Sequence, residues 1–155
     1  MANNWPKQDF ASMVAFYGNV GESQVKLALP YPMKLAWDMT KTVHQITCHA
    51  KVHDSLGRIL ASILAHYGSA TGVNKASMDL FGGCLNVRKM RGGNLWSIHS
   101  WGTAIDLDPD HNTMSMHREQ ASMSNEVIAI FESEGWVSMG RARNFDYMHF
   151  QAATL

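Results

Sequence analysis

Two histidines and one aspartate in the C-terminal half of this chain have the residue types of a catalytic metal site. His99 lies in Ser97-Ile98-His99-Ser100-Trp101-Gly102, ahead of a turn that Gly102 makes possible. Asp106 follows in Thr103-Ala104-Ile105-Asp106-Leu107, an otherwise apolar run with strand character. Ala104, Asp106 and Asp108 alternate onto one face of such a strand, and Thr103, Ile105 and Leu107 onto the other. A carboxylate placed there is costly to bury unless it is paired or bound to a metal. His149, in Asp146-Tyr147-Met148-His149-Phe150, interrupts a second apolar stretch. Two imidazoles and one carboxylate leave a tetrahedral zinc ion one open position, as catalysis needs. Water bound in that position would have its pKa lowered to ~7.

Such a site needs a base, and Asp146 is the natural one. Positions i and i+3 of a regular strand face opposite sides, so Asp146 must lie on the turn before the His149 strand to share its site. A cation must also steady the oxyanion that forms when water attacks a carbonyl. Arg88 and then Arg91 are the candidates, since both precede the Ser97–His99 loop. Trp101 either lines the cleft or packs. Asp108, just before Pro109, reads as a turn residue.

The pattern Ser97-x-His99-x-x-Gly102-x-Ala104-x-Asp106, followed by Asp146-x-x-His149, resembles the zinc D-Ala-D-Ala carboxypeptidase and L-alanyl-D-glutamate peptidase family. That family includes VanY-like enzymes and phage endolysins. The resemblance covers about 82–151, and Leu29-Pro30-Tyr31-Pro32 and Asn86-Val87-Arg88 look like its phage members. It implies His99, Asp106 and His149 as zinc ligands, Asp146 as catalytic acid/base, Arg88 (or Arg91) as the carbonyl-polarising residue, and Ser97 near the substrate. Ser97 also reads as a turn cap. The implied substrate is the peptidoglycan stem peptide, cut at the L-alanyl–D-glutamate bond or, alternatively, at D-Ala-D-Ala. The family's Trp-Gly-Gly-like stretch is altered here to Trp136-Val137-Ser138-Met139-Gly140. The phage-like build implies an endolysin that is made in a host cytoplasm and reaches the periplasmic wall with a holin's help. A reading of another class is a wall-binding module with an inert metal site, but such a module has no use for Asp146.

The elements that must position these residues read as α+β, with helices packed on a small, mostly antiparallel sheet. The spacing predicts helices over 7–17, 51–67 and 125–134. The longest carries Val52, Leu56, Ile59, Leu60, Ile63, Leu64 and Tyr67 on one stripe. Gly18, Gly68 and Gly135 stand where helix ends favour glycine, and Ser122 or Ser124 can cap the third helix. Strands are expected over 25–29, stopped by Pro30 and Pro32, and over 84–87, 104–107, 136–139 and 147–151. Loops are expected over 69–75, 91–94 and 112–124. His49 and His53 have the i, i+4 spacing of H-E-x-x-H, but Ala50 stands where the glutamate would be, so they read as helix surface. No partner is evident for His44, His66, His111 or His117.

Composition agrees with one folded catalytic unit over 1–155, expected to be monomeric. The chain has 155 residues, 46% of them hydrophobic, enough for a real core. Thirteen basic residues balance thirteen acidic ones, which gives no pull toward nucleic acid or an anionic membrane. No apolar run approaches the roughly 18 residues of a membrane span. The first six residues lack the basic and apolar regions of a secretory signal. Cys48 and Cys84 read as buried free thiols rather than a bridge, and the eleven methionines as packing.

Overall fold

The computed structural model describes residues 3–155. In chain order these form α1 (Phe10–Tyr17), β1 (Gln24–Leu35), β2 (Asp38–His49), α2 (His53–Tyr67), α3 (Ala70–Lys75) and β3 (Leu80–Gly83). Then follow β4 (Ala104–Leu107), α4 (Asn125–Ser133), β5 (Val137–Ser138), α5 (Met139–Arg143) and β6 (His149–Gln151). Single 3-10 turns cover Ala50–Val52 and Ile98–Trp101. The strands make one sheet in the order β2-β1-β3-β4-β6-β5, antiparallel throughout except for the β1–β3 pair. The fold is α+β, with the expected mostly antiparallel sheet.

Helix α2 lays its stripe on the sheet: Leu56, Ile59, Leu60 and Ile63 are fully buried. Leu64 and Tyr67, at the end of that stripe, are only partly buried. Gly57 faces Leu27 of β1, where a Cβ would make an ordinary contact at 3.5 Å. Helix α4 is capped by Ser124, whose hydroxyl accepts from the Val127 amide at 3.1 Å. Its Phe131 stacks on Phe150 of β6 at 3.8 Å, nearly parallel. Phe150 is paired with Ile105 across β4 and β6, and both are fully buried. One face of β4 and β6 is thus committed to the helices. The opposite face carries Asp106 and His149.

Several elements differ from expectation. β1 does not stop at its prolines. It runs twelve residues, and its register with β2 jumps between Ala28 and Met33, so that 29–32 stand opposite His44 alone. Proline cannot donate to a ladder, and a bulge takes the two prolines out of it. Tyr31 turns inward within the bulge and donates to the Met78 carbonyl at 3.1 Å. β2 was not anticipated, although Thr40, Thr42, Val43, Ile46 and Thr47 give it β-branched character. Residues 70–75 form a short helix capped by Ser69 instead of a loop. The strand expected over 84–87 lies earlier, at Leu80–Gly83. The strands expected over 136–139 and 147–151 shorten to 137–138 and 149–151, with α5 between them.

Among the described residues, no helix is long and apolar enough to cross a membrane. Cys48 and Cys84 are both buried and free. Burial raises the Cys48 thiol to about 11 and puts Cys84 well above its usual value.

Candidate metal centre

Sheet register brings two of the three metal-site residues together. Asp106 of β4 stands directly opposite His149 of β6 in the antiparallel ladder. Directly opposed residues hold their Cβ atoms about 4.5–5.5 Å apart, so pairing alone aims both side chains at one point. His149 Nδ1 lies 3.2 Å from one Asp106 oxygen. The neighbouring strand makes room for them. A Cβ at Gly82 would come within 2.9 Å of the Asp106 Cβ and 3.3 Å of the Pro109 ring.

His99 arrives from the other side on the 3-10 turn. The Ser97 hydroxyl accepts from the His99 amide at 3.3 Å and starts that turn. Gly102 ends it in a left-handed conformation at φ 69°, and the chain enters β4. His99 Nε2 lies 3.2 Å from the second Asp106 oxygen. The two imidazoles meet edge to face, with centroids 5.0 Å apart. One ligand atom from each of the three residues falls within 4.8 Å of the others.

The far nitrogens of both rings are also held. His99 Nδ1 is 2.9 Å from the Cys84 carbonyl, which can only accept, so that nitrogen carries a proton and Nε2, turned toward Asp106, is the one a metal ion can take. His149 Nε2 is 2.9 Å from the Gln151 side-chain oxygen. Supports of this kind orient metal-binding histidines. The donor set, the cradle at Gly82 and the two fixed rings fit a divalent metal ion. Neither support was anticipated. The Cys84 contact is made by backbone and leaves no trace in residue type. Gln151 had a signal, two residues after His149 on the same strand face.

Electrostatics follow from this packing. Burial works to raise the Asp106 carboxyl, but His99 and His149 overcome it and hold the group far below the usual carboxylate range. Burial works to lower the His149 imidazole, yet its hydrogen bond to Asp106 raises it above its usual value.

Asp146 is placed by a turn. The His149 amide donates to the Asp146 carbonyl at 3.0 Å, closing four residues into the start of β6. This is the physical content of the Asp-x-x-His spacing. Asp146 has φ 57°, a left-handed conformation that aspartate adopts more readily than most non-glycine residues. The turn is held from outside by the Met114 carbonyl, which accepts from the Asp146 amide at 2.9 Å. Burial raises the Asp146 carboxyl, Asp106 adds to the rise, and His149, His99 and Arg88 oppose it.

The remaining candidates separate. Arg88 is exposed at its side chain and close enough for its charge to act on Asp146. Its backbone is fixed beside the His99 turn, with the Ser97 amide donating to the Arg88 carbonyl at 2.9 Å. Arg91 sits in the exposed turn after Met90. Ser97 is buried and serves as the cap described above. Trp101 is 1% exposed, and its indole donates to the Gly18 carbonyl at 2.9 Å, so it packs beneath the N-terminal helix and offers a substrate no face.

His49 is not helix surface. It ends β2, is buried, and has Nε2 2.7 Å from the Tyr17 carbonyl, while His53 opens α2 beside Asp54. His111 does have a partner, the buried Asp108 at 2.8 Å, and His117 lies 2.6 Å from the Asn144 carbonyl.

Residues 91–152 match the family model described as D-alanyl-D-alanine carboxypeptidase. The match contains His99, Asp106, Asp146 and His149, and it supports a metallopeptidase acting on cell-wall peptides. No curated protein and no solved structure matches the chain.

Proposed function

We propose that this chain is a zinc metallopeptidase that hydrolyses peptidoglycan stem peptides. The observation that carries the reading is the facing pair Asp106–His149, joined by His99, with Asp146 on the turn that leads into the same strand. Zinc in this position would supply Lewis acidity and an acidified water at neutral pH. Asp146 takes the proton of the attacking water and delivers it to the leaving amine. Its buried environment, which raises its affinity for a proton, suits both halves of that task. Arg88, whose charge acts on Asp146, is assigned the developing oxyanion ahead of Arg91.

The bond favoured is L-alanyl–D-glutamate, as in a phage endolysin acting as a monomer on the wall after holin-assisted release. The description of the matching family model favours a second reading, removal of terminal D-alanine. Mass spectrometry of purified peptidoglycan after digestion separates them. A new N-terminal D-glutamate supports the first, and free D-alanine the second. An unaltered wall digest by zinc-loaded protein refutes both and leaves the wall-binding module.

A further inference from the structure

The N-terminal segment ahead of α1 reaches the far side of the metal centre. Its backbone is clamped to the chain end: the Gln8 amide donates to the Thr154 carbonyl at 2.8 Å, and the Thr154 amide donates to the Pro6 carbonyl at 2.8 Å. The clamp sets the Gln8 side chain against Gln151, which is 1% exposed. Gln151 Nε2 lies 3.0 Å from Gln8 Oε1 and 3.1 Å from the Ala153 carbonyl.

A side-chain amide has one end that donates and one that accepts. The Ala153 carbonyl can only accept, so the end of Gln151 facing it must be the NH2 group. Its two protons then go to Ala153 and Gln8. The oxygen of Gln151 is left facing His149 Nε2 at 2.9 Å, and it too can only accept. His149 must therefore carry a proton on Nε2, so a metal ion can take only Nδ1, the nitrogen now hydrogen-bonded to Asp106, by replacing the proton there. His99 has the opposite arrangement, with Nδ1 protonated against Cys84 and Nε2 turned inward.

We propose that Gln8 and Gln151 form a positioning relay that fixes which nitrogen His149 presents to the metal ion, so that a segment outside 91–152 completes the metal centre. The inference rests on the metal-site reading given under Proposed function. Neither glutamine touches the ion or a substrate. Gln151 holds the ring, and Gln8, together with the Ala153 carbonyl, holds Gln151 in the one amide orientation that works.

The test measures zinc affinity by competition with a chromogenic chelator for wild type, Gln151→Leu and Gln8→Ala. It is combined with nitrogen-15 spectra of the zinc-loaded proteins. Loss of a residue that orients a ligand lowers affinity by about 10–100-fold. Gln151→Leu is expected in that range and Gln8→Ala near its lower end, at about tenfold. In wild type the ion is expected on His149 Nδ1, with the Nε2 proton protected from exchange with water. In Gln8→Ala that protection falls.

A role limited to packing would lower the melting temperature and leave the exchange of that proton unchanged; this result overturns the relay. So does coordination through Nε2, or wild-type affinity in Gln8→Ala, the variant that decides the matter if Gln151→Leu fails to fold. Peptidoglycan digestion by the same preparations keeps the two claims apart. Unchanged affinities beside normal wall cleavage refute the relay alone. Weakened binding beside a wild type that cleaves nothing refutes the substrate reading alone.

Discussion

The β1–β2 hairpin and the β4–β6 pair belong to one sheet and are built on different terms. The hairpin strands run twelve residues each and tolerate a wide bulge between Ala28 and Met33. The site strands run four and three residues without irregularity in their register, and every position of β6 is buried. A slip of one residue between β4 and β6 would turn Asp106 and His149 to opposite faces. A bulge among 29–32 moves no ligand. Precision is concentrated where the chemistry needs it, and the long hairpin supplies area for α2 to cover.

This contrast makes opposite demands on substitutions in the two regions. The largest effect is expected at Asp146→Ala, which should lower turnover about 10²–10⁴-fold while zinc binding and melting temperature stay near wild type. Turnover assays beside metal analysis check it, and full turnover would remove Asp146 from the chemistry. Leu27→Ala in the hairpin should do the reverse. It removes a side chain 4% exposed against α2 and should cost about 2–5 kcal/mol of stability by denaturant titration. Zinc affinity of the folded fraction should not change, and a matching loss of affinity would show that the two regions are not separable.

The smallest effect is expected at Glu134, which ties the N-terminal segment to α2. Its carboxylate accepts from Arg58 at 2.9 and 3.0 Å, from Ser55 at 2.9 Å and from Asn3 at 3.0 Å. The Arg58 hydrogen bonds outweigh partial burial and hold this carboxyl below its usual 4.5. A depressed carboxyl contributes stability above pH 4.5 that is lost as pH falls through the folded-state value. Glu134→Gln should therefore lower the melting temperature by roughly 2–4 °C at neutral pH. That difference should shrink below pH 4.5, and a difference constant with pH would assign the effect to packing.

The site was legible for the same reason that its strands are exact. Aspartate and histidine inside apolar strands are expensive, so Asp106 and His149 already announced a partner, and the spacing of His99 ahead of Gly102 joined it to them. The turn position of Asp146 followed from strand alternation. The hairpin carried no such cost. Thr40, Thr42 and Thr47 suit an exposed strand and a loop alike, and Pro30 and Pro32 read as stops because a bulge cannot be seen without its partner strand. The polar 70–75 segment hid a helix that its Ser69 cap stabilises. Trp101 and Ser97 were ambiguous because a buried indole and a capping hydroxyl use the same residue types as a substrate wall. The supports of the imidazoles were the least legible, since one is a main-chain carbonyl.

The central claim is that His99, Asp106 and His149 together hold one divalent ion. Equilibrium dialysis against zinc, followed by elemental analysis of wild type and Asp106→Ala, tests it most directly. The account predicts one ion per wild-type chain and none retained by the variant at the same free zinc. Equal zinc in the two proteins, or none in either, would contradict it.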